Sequence, residues 1–328
     1  MASDQKVGFV LISFLPAGSE EKASSRIRVY TLQRALAQNN IQTVLGYSPE
    51  ANILLIQKRV NLEILRIAQH AHKCGRIILY DIDDLGGALW HWTPPSLFAD
   101  LLLVTDVMLV ATEAQRDILR AEYNISNIEV LPNSIDYYPT EPAKLYYKDS
   151  TPLRILWFGG ARNLYLLEKY IFALTSLPDV EILVATDISG IGQYSRKYPY
   201  IKFINWELSQ FIPLLQSCHL TCLMHDGTKE DRAKSNNRMV TSIAWGIPAV
   251  VTNTFEYQRT ALAAGINFAL FKNGPELQAV IEHLRPGHAR KAYIDLAQPW
   301  VWDHYAPNKI AQTFIRILKK HIINHRNA

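Results

Sequence analysis

The sequence predicts an α/β protein made of two parallel-sheet domains that face each other across a cleft. Short apolar runs alternate with longer helical patterns along the 328 residues, which is typical of parallel sheets with crossover helices. The alternation stops once, over Asp136–Pro152, and then resumes. Because two domains of about 150 residues fit this length, we place the N-terminal domain at residues 1–140, the C-terminal domain at 153–306 and a separate helix at 307–328.

The first domain begins with a strand and a long helix. Val7–Ser13 is apolar and β-rich, and a polar loop follows it. A helix is predicted from about Ser24 to Gln38, with either serine at 24 or 25 as its cap and an apolar stripe along one face. Further strands are predicted at Thr43–Gly46, Ile53–Gln57, Ile77–Asp81, Val107–Ala111 and Ile128–Pro132.

The second domain repeats this order after the linker. Leu153–Phe158 reads as a strand, two glycines follow, and a helix is predicted from about Asn163 to Leu177. A second helix is predicted over Ser235–Trp245, which ends at a glycine. The remaining strands are predicted at Glu181–Thr186, Ile201–Asn205, Leu220–Met224 and Ala249–Thr252.

A basic amphipathic helix is predicted at the C-terminal end, from Pro307 to about Ile323. Proline suits the first turn of a helix because its missing N–H would have no partner there. We expect the apolar face of this helix to pack on the domains. The alternative is peripheral contact with an anionic membrane.

Composition excludes several classes of protein. The net charge of +4 is mild and its basic residues are spread out, which is not the clustered pattern of a nucleic-acid surface. The three cysteines are too few and too irregular for a disulfide framework or a zinc site. No apolar run approaches the ~20 residues of a membrane span, and no signal peptide is recognisable. We therefore expect a cytoplasmic protein that binds no nucleic acid.

The strongest local motif surrounds the second helix of the C-terminal domain. Ser235 or Asn236 can cap that helix, and Lys234 precedes them. A helix N-terminus with a neighbouring cation suits a phosphate or diphosphate. The alternative is a capped surface helix with a solvated lysine.

A second motif follows the first strand of the C-terminal domain. Gly159 and Gly160 let the backbone approach a ligand closely, and Arg162 can hold a phosphate. The alternative is a tight strand-to-helix turn. Beyond these two motifs, His225 and Asp226 follow the strand Leu220–Met224 and are further candidates for ligand binding at this edge.

The first domain carries its own candidates at the end of a strand. Asp81, Asp83 and Asp84 lie within four residues, and His91 follows in an aromatic loop. One of them can act as general base on a bound hydroxyl or orient that hydroxyl by a hydrogen bond. Capping and solvation of the carboxylates is the alternative, and no metal is expected.

Two arginines open the first helix, where the helix dipole disfavours positive charge. Arg26 and Arg28 are therefore candidates for binding an anionic ligand. A solvated or ion-paired role is the alternative.

Taken in order, these motifs resemble the GT-B glycosyltransferases, particularly the large family 4. The glycines after the first strand of the second half, the Lys-Ser-Asn-Asn motif and the later Ala-x-Gly-x-Pro-x-Val-Val motif carry the likeness. The first half agrees with it through an early helix of this type and a Pro-Asn-x-Ile-Asp sequence that closes the domain. The matching residues are Gly159, Gly160, Lys234–Asn237, Ala244–Val251, Ser24–Arg28 and Pro132–Asp136.

The sequence departs from that family at two positions. Its members usually carry two glutamates eight residues apart, and Ala233 and Thr241 stand there in this chain. The second glutamate normally holds the nucleotide ribose, for which Thr241 offers a weaker neutral hydrogen bond. The donor is then held differently, is not a common uridine or guanosine diphosphate sugar, or activity is lost. Glu230 is a nearby acid that can substitute.

The resemblance implies two Rossmann-like domains, with the C-terminal helix packing back on the first, and the transfer of a sugar from a nucleotide sugar to a carbohydrate, lipid-linked or other hydroxyl acceptor. On that basis His225 and Asp226 are candidates for donor binding, and Arg26 and Arg28 for binding an acceptor phosphate or the donor. The candidates for a general base on the acceptor hydroxyl, or for orienting the acceptor, are Asp81, Asp83, Asp84 and His91. The resemblance implies no metal and no cofactor, since fixed N–H groups and cations stabilise the leaving diphosphate. Two alternatives stay open. One is an inactive binding or scaffold subunit, and the other is a nucleotide-sugar epimerase.

Overall fold

The computed structural model describes residues 10–85, 87–139, 141–143, 149, 151–187, 189 and 191–326. The chain divides into two compact units. The first contains the chain up to Ser134, the short segment Ala233–Ser235 and the chain from Tyr305 onward. The second contains Ile135–Arg232 and Asn236–His304.

The first unit is built on a six-stranded, entirely parallel sheet with the order β2-β1-β3-β4-β5-β6. Its strands are β1 (Leu11–Leu15), β2 (Gln42–Leu45), β3 (Ile53–Gln57), β4 (Ile77–Ile82), β5 (Val107–Val110) and β6 (Ile128–Val130). Its first helices are α1 (Ala23–Ser25), α2 (Thr31–Gln38), α3 (Leu62–Lys73), α4 (Gly87–Trp92), α5 (Pro95–Leu102) and α6 (Glu113–Tyr123). Strands β3, β4 and β5 are buried along their whole length, as expected for a parallel sheet covered on both faces.

The second unit contains another six-stranded parallel sheet, with the order β12-β11-β10-β7-β8-β9. Its strands are β7 (Leu153–Phe158), β8 (Val180–Thr186), β9 (Lys202–Asn205), β10 (Leu220–Leu223), β11 (Ala249–Thr252) and β12 (Leu270–Phe271). Its helices are α7 (Leu164–Glu168), α8 (Ile171–Thr175), α9 (Gly192–Lys197), α10 (Phe211–Gln216), α11 (Lys229–Arg232), α12 (Asn237–Ala244), α13 (Phe255–Ala263), α14 (Gly274–Leu284) and α15 (Gly287–Tyr305). This strand order is that of a Rossmann sheet, so the predicted α/β class with two parallel sheets is confirmed.

Most predicted strands lie where the sequence placed them. Strands β3, β7 and β11 have the predicted bounds. The first predicted strand was Val7–Ser13, whereas β1 begins at Leu11, and residues 7–9 lie outside the described part of the chain. The two-residue edge strand β12 was not predicted, because two residues show no alternation.

The first predicted helix, Ser24–Gln38, is one helical run with a change of type inside it. Between α1 and α2 the residues Arg26–Tyr30 form a π-helix, a rare geometry that occurs mostly at functional sites. The prediction that Ser24 or Ser25 caps the run is wrong, since Lys22 occupies the cap position without a side-chain hydrogen bond. The Ser25 hydroxyl instead donates to Oε1 of the buried Gln57, 3.1 Å away.

The predicted helix Asn163–Leu177 is broken into two short helices, α7 and α8. Tyr170 stands at the break. Its ring packs edge-on against Phe271, with the centroids 5.1 Å apart, and its hydroxyl donates to the carbonyl of Lys272. These contacts with the chain around β12 accompany a turn that a continuous apolar stripe does not reveal.

The C-terminal helix α16 (Pro307–Arg326) belongs to the first unit. Its apolar side chains, among them Ile310 and Phe314, are buried in the core cluster that also holds residues of α2 and of the first sheet. Because this face is covered by protein, the alternative of membrane contact through it is not supported. Among the described residues, no helix is long and apolar enough to cross a bilayer.

Candidate functional site

One candidate site lies at the carboxyl edge of the second sheet, between β7 and β10, where the crossover direction reverses. Ligands of open α/β sheets bind at such switch points. The Gly159–Gly160 pair, here called the glycine turn, follows β7 directly. Gly159 N–H donates to the carbonyl of Ala185, and Gly160 is exposed. Arg162 lies in the 3₁₀ turn that follows and is also exposed.

Arg238 supports the glycine turn from the first turn of α12. Its Nη1 donates to the carbonyl of Phe158 at 3.0 Å and its Nη2 to the carbonyl of Met224 at 3.3 Å. It therefore joins the ends of the two strands that flank the switch point. A Cβ at Gly159 would lie 3.1 Å from Arg238 Nη1, so this close approach favours glycine there.

The start of α12 differs from the prediction. Asn236 occupies the cap position, but its side chain makes no capping hydrogen bond. Its Nδ2 instead donates to Thr260 Oγ1 at 2.6 Å. Ser235 does not cap the helix either, and the predicted capping by these two residues is wrong. The Asn236 side chain therefore pairs with Thr260, within the second unit, and does not cap α12.

The two positions where family 4 glycosyltransferases usually carry glutamates are both packing positions. Ala233 lies in a hydrophobic core cluster of the first unit. Thr241 is 2 % exposed, and its hydroxyl accepts from Asp136 N–H at 3.1 Å. A buried hydroxyl that is bonded to the backbone is not accessible to a ribose, so the prediction that Thr241 binds the donor is contradicted. The side chain of Glu230 lies outside the described residues.

The loop after β10 carries His225 and Asp226. The buried His225 ring stacks on Tyr257, with 4.6 Å between centroids. Asp226 accepts from the Tyr165 hydroxyl at 2.9 Å and from Thr228 N–H at 2.9 Å. Burial works in the opposite direction, but these hydrogen bonds prevail and lower the pKa of Asp226 to about 2. Asp226 is therefore a fixed negative charge that links the loop after β10 to the start of α7.

A cavity of ≈ 420 Å³ lies beside this edge, at the carboxyl ends of β8 and β9. Its lining combines apolar, aromatic and polar side chains, which is the usual composition of a small-molecule site. The residues include Ala185, Asn205, Trp206, Gln210 and Phe211.

Another candidate site lies at the carboxyl edge of the first sheet, within the first unit. Arg28, on the π-helix, donates from Nε to Asp81 Oδ1 at 2.9 Å and to Oδ2 at 2.8 Å, and Nη2 also contacts this carboxylate. Both side chains are 1 % exposed, and the ion pair raises the pKa of Arg28 although burial alone would lower it. Such a pair cannot reach an acceptor, which contradicts the predicted roles of Asp81 as a base and Arg28 as an acceptor ligand.

Asp83 and Asp84 share a different cation. Lys58 follows β3 in the left-handed conformation, with φ = 57°, and its Nζ bonds both carboxylates. Burial raises the pKa of Asp83, while the Lys58 charge opposes that rise. The Asp84 side chain is 24 % exposed and is the most accessible of the three predicted aspartates. Non-glycine residues in this left-handed conformation are often found at functional sites, which makes Lys58 a candidate functional residue.

The other predicted residues of the first domain are more widely distributed. Arg26 is buried and donates to the carbonyls of Glu20 and Glu21 at 3.1 and 3.0 Å, so it shapes the loop after β1. His91 is exposed on α4 instead of lying in a loop as predicted, and it packs edge-on against Trp92. The Lys22 ammonium stands 4.7 Å from the centre of the Trp92 ring.

Lys234 and Ser235 belong to the first unit, not to the second unit as the motif suggested. Ser235 Oγ accepts from Asn133 Nδ2 at 3.0 Å, and the carbonyl of Ala233 accepts from Thr112 Oγ1 at 2.9 Å. Both partners lie on loops that follow strands of the first sheet.

Sequence reasoning missed three polar residues at these edges, namely Lys58, Asn133 and Arg238. Arg238 was detectable, since it is a cation in the first turn of a helix, the signal that singled out Arg26 and Arg28. Lys58 comes directly after a buried strand, a position that favours functional side chains. Among the described residues, no group of three His, Cys, Asp or Glu side chains could hold a metal ion.

No protein-family model and no curated protein matches the chain, but solved structures do. HepE from Anabaena, in complex with UDP and glucose, has a TM-score of 0.69 at 13% identity, covering 94% of this chain and 99% of its own. A glycosyltransferase from Rickettsia africae gives 0.65 at 12% identity, covering 96% and 99%. WaaG, a glycosyltransferase involved in lipopolysaccharide biosynthesis, gives 0.60 at 15% identity, covering 93% and 99%. The chain therefore has the fold of the GT-B glycosyltransferases, with two Rossmann-like domains.

Proposed function

We propose that the chain is a glycosyltransferase that moves a sugar from a nucleotide-activated donor to a hydroxyl acceptor. The observation that carries the proposal is the switch point of the second sheet, where Arg238 holds the strand ends around an accessible glycine turn. The fold supports it, since HepE shares this fold and its structures hold UDP, glucose and UDP-glucose.

The donor nucleotide binds at the carboxyl edge of the second sheet. The exposed Gly160 leaves the backbone open to a phosphate, and the exposed Arg162 supplies a guanidinium whose planar donors match phosphate oxygens. The nucleoside occupies the cavity at the ends of β8 and β9, where Trp206 and Phe211 offer aromatic surfaces. Lys234 and Ser235, which belong to the first unit, stay predicted phosphate ligands. No ribose contact is assigned to Thr241.

The chemistry requires that charge on the departing diphosphate be stabilised. Preoriented N–H groups and cations do this best where water is excluded. Arg162 is the cation that takes this role in the proposal, which calls for no metal ion. The reaction then breaks the bond between the sugar and the phosphate oxygen and forms one to the acceptor oxygen, whose proton must go to a base.

The acceptor binds at the carboxyl edge of the first sheet. Asp84, held by Lys58 and partly exposed, orients an acceptor hydroxyl by accepting its hydrogen bond. His91 is exposed on α4 and is the candidate for the base, because a histidine side chain can accept a proton from a hydroxyl through a ring nitrogen. Trp92 adds an aromatic surface suited to a sugar ring, so a carbohydrate or lipid-linked sugar is the acceptor class that fits this edge.

A second candidate function, an inactive binding or scaffold subunit, is favoured by one observation. The positions of the two usual glutamates are occupied by buried residues, Ala233 and Thr241. A nucleotide-sugar epimerase of this fold is a third candidate, and it would need no separate acceptor.

A thermal-shift screen against nucleoside diphosphates and their sugars tests donor binding. Saturation at ~100 times the dissociation constant adds ~2.7 kcal/mol of stability, which raises the melting temperature by about 2–4 °C in a chain of this size. We expect one nucleotide series to produce this shift and Arg162→Ala to abolish it, with Arg196→Ala, which replaces a basic residue on α9, as the control. The absence of any shift in folded wild-type protein would favour the scaffold subunit.

A further inference from the structure

The Asn133 side chain bridges two residues that are far apart in the sequence. It lies in the loop after β6 and is 6 % exposed. Its Oδ1 accepts from Arg28 Nη1 at 2.8 Å, and its Nδ2 donates to Ser235 Oγ at 3.0 Å. The two ends of one amide therefore serve the buried Arg28–Asp81 pair and Ser235.

The orientation of this amide follows from the chemistry of its neighbours. Arg28 has five N–H donors and no acceptor, and its guanidinium is fixed by Asp81 and by the carbonyl of Leu131, 2.8 Å from Nη1. The Asn133 atom that faces Arg28 must therefore be the oxygen. The NH₂ group then points at Ser235, and Ser235 Oγ must accept that hydrogen bond.

This arrangement determines what Ser235 can offer to a ligand. A hydroxyl has one proton and two lone pairs. Because one lone pair accepts from Asn133, the proton is not required for that bond and is available to a ligand. Phosphate oxygens need donors, and the adjacent Lys234 supplies positive charge to the same segment.

We propose that Asp81, Arg28 and Asn133 form a positioning chain that makes Ser235 a hydrogen-bond donor to a phosphate group of the substrate. This inference rests on the proposed function, and it gives the buried Arg28–Asp81 pair a role in binding. Asn133 acts through Ser235 and is a positioning residue. The phosphate is that of the nucleotide donor or one carried by the acceptor.

The isosteric substitution Asn133→Asp reverses the direction of the hydrogen bond between residue 133 and Ser235. An aspartate can still accept from Arg28, but it can only accept from Ser235, whose proton is then directed away from the ligand. We expect Asn133→Asp to weaken binding of the selected nucleoside diphosphate about tenfold or more, as for the loss of a hydrogen bond to a charged group. Binding of the uncharged nucleoside should change less than twofold, which a general structural defect would not allow.

The added negative charge of Asn133→Asp also repels a phosphate, and a double-mutant cycle with Ser235→Ala separates the two effects. If this reversal is the cause, Asn133→Asp costs at least threefold less affinity in the Ser235→Ala background than in wild type, since no proton remains to redirect. An equal loss in both backgrounds would overturn the proposal. Asn133→Ser serves as a second variant if Asn133→Asp does not fold, since it shortens the bridge without adding charge and should weaken only the diphosphate.

Titration with nucleoside diphosphate and with inorganic phosphate alone identifies the source of the phosphate group. A Ser235→Ala defect with nucleoside diphosphate points to the donor. A defect confined to inorganic phosphate points to a phosphorylated acceptor. Unchanged binding of both ligands in Ser235→Ala, from a wild type that binds nucleoside diphosphate, would contradict this inference alone. A wild type that binds no nucleotide would contradict the proposed function.

Discussion

At the scale of single residues, the Arg28–Asp81 ion pair is the most deeply buried charged contact at the candidate site. Removing one partner leaves an uncompensated charge in the interior, which typically costs about 3–5 kcal/mol. We expect Arg28→Met to lower the free energy of unfolding by about this amount in urea titrations. Arg34→Met is the matched control, because Arg34 pairs with Glu20 at the surface and should change stability by less than ~1 kcal/mol. Equal losses in the two variants would contradict the account.

The glycine turn offers a second test at this scale, with its control in the next residue. A Cβ at Gly159 would lie 3.1 Å from Arg238 and 3.2 Å from the Trp157 ring, whereas nothing lies within 4 Å of one at Gly160. Gly159→Ala should therefore displace Arg238 and weaken nucleotide binding about tenfold, or ~1.4 kcal/mol. Gly160→Ala leaves Arg238 undisturbed, so it is the control for that displacement, and a loss of binding there reports contact between the phosphate and residue 160. Calorimetric titration gives the dissociation constant of the nucleotide for each variant. A larger loss of affinity in Gly160→Ala than in Gly159→Ala would show that the phosphate contacts residue 160 and does not depend on Arg238.

At this scale the sequence shows where the charged residues lie along the chain, but not which residues they pair with. The order of strands and loops placed Asp81, Asp83 and Asp84 at a strand end, because a buried apolar run precedes them. It did not reveal that Arg28 neutralises the first and Lys58 the other two, since those partners are 53, 25 and 26 residues away. Pairing across a sheet edge depends on which strands are neighbours, and local patterns do not contain that information.

At the scale of elements, α16 completes the core of the first unit. Phe314 is fully buried with residues of α2 and the first sheet. Truncating a buried phenylalanine typically costs about 3–5 kcal/mol, so we expect Phe314→Ala to lose stability on this scale in urea titrations. The exposed Lys319 on the same helix provides the control Lys319→Ala, with a change below ~0.5 kcal/mol. A small loss at Phe314 would mean that α16 does not pack as described.

The same helix is joined to β6 by an ion pair that should respond to pH. Glu129 accepts from Lys320 at 2.5 Å and from His321 at 3.0 Å, and these bonds outweigh the effect of burial and lower its pKa. A lowered folded-state pKa contributes stability above the unfolded carboxyl pKa, and this is lost as the pH falls through the folded value. Glu129→Gln should therefore be less stable by ~0.5–1 kcal/mol at pH 7, and the difference should disappear at an acidic pH below the folded-state pKa of Glu129.

Urea titrations of both proteins at the two pH values measure this difference. A gap that widens on acidification would have the wrong sign. Glu181 pairs with exposed Arg154 and Lys202 in the second unit. The substitution Glu181→Gln, measured in the same way, is the comparison for an ion-paired carboxylate outside the first unit.

Elements were predicted well where burial is uniform and poorly where tertiary contacts override a local pattern. Fully buried strands such as β3 and β11 were located to the residue, since continuous apolar runs bounded by polar residues are distinctive. The break between α7 and α8 was missed because its stripe of apolar residues continues through it. The π-helix at Arg26–Tyr30 was missed because one extra residue per turn leaves no local sequence signal.

At the scale of the whole molecule, two parallel sheets with different strand orders carry separate groups of polar side chains at their carboxyl edges. The Rossmann order of the second sheet creates the switch point where we propose that the donor binds. Asp84 follows a strand of the first sheet, and His91 and Trp92 lie on α4 of the same unit. Sequence order implied both sheets. It could not assign Lys234 and Ser235 to the first unit. The segment Ala233–Ser235 belongs to that unit although the residues on both sides of it belong to the second.

Product analysis by mass spectrometry tests the central claim of sugar transfer most directly. Wild-type protein is incubated with the nucleotide sugar selected by binding, together with a mixture of oligosaccharides and lipid-linked sugars. The account predicts release of the nucleoside diphosphate with a mass gain of one sugar residue on an acceptor, both lost in Arg162→Ala. Recovery of the nucleotide sugar unchanged, or as its epimer with no acceptor modified, would contradict it.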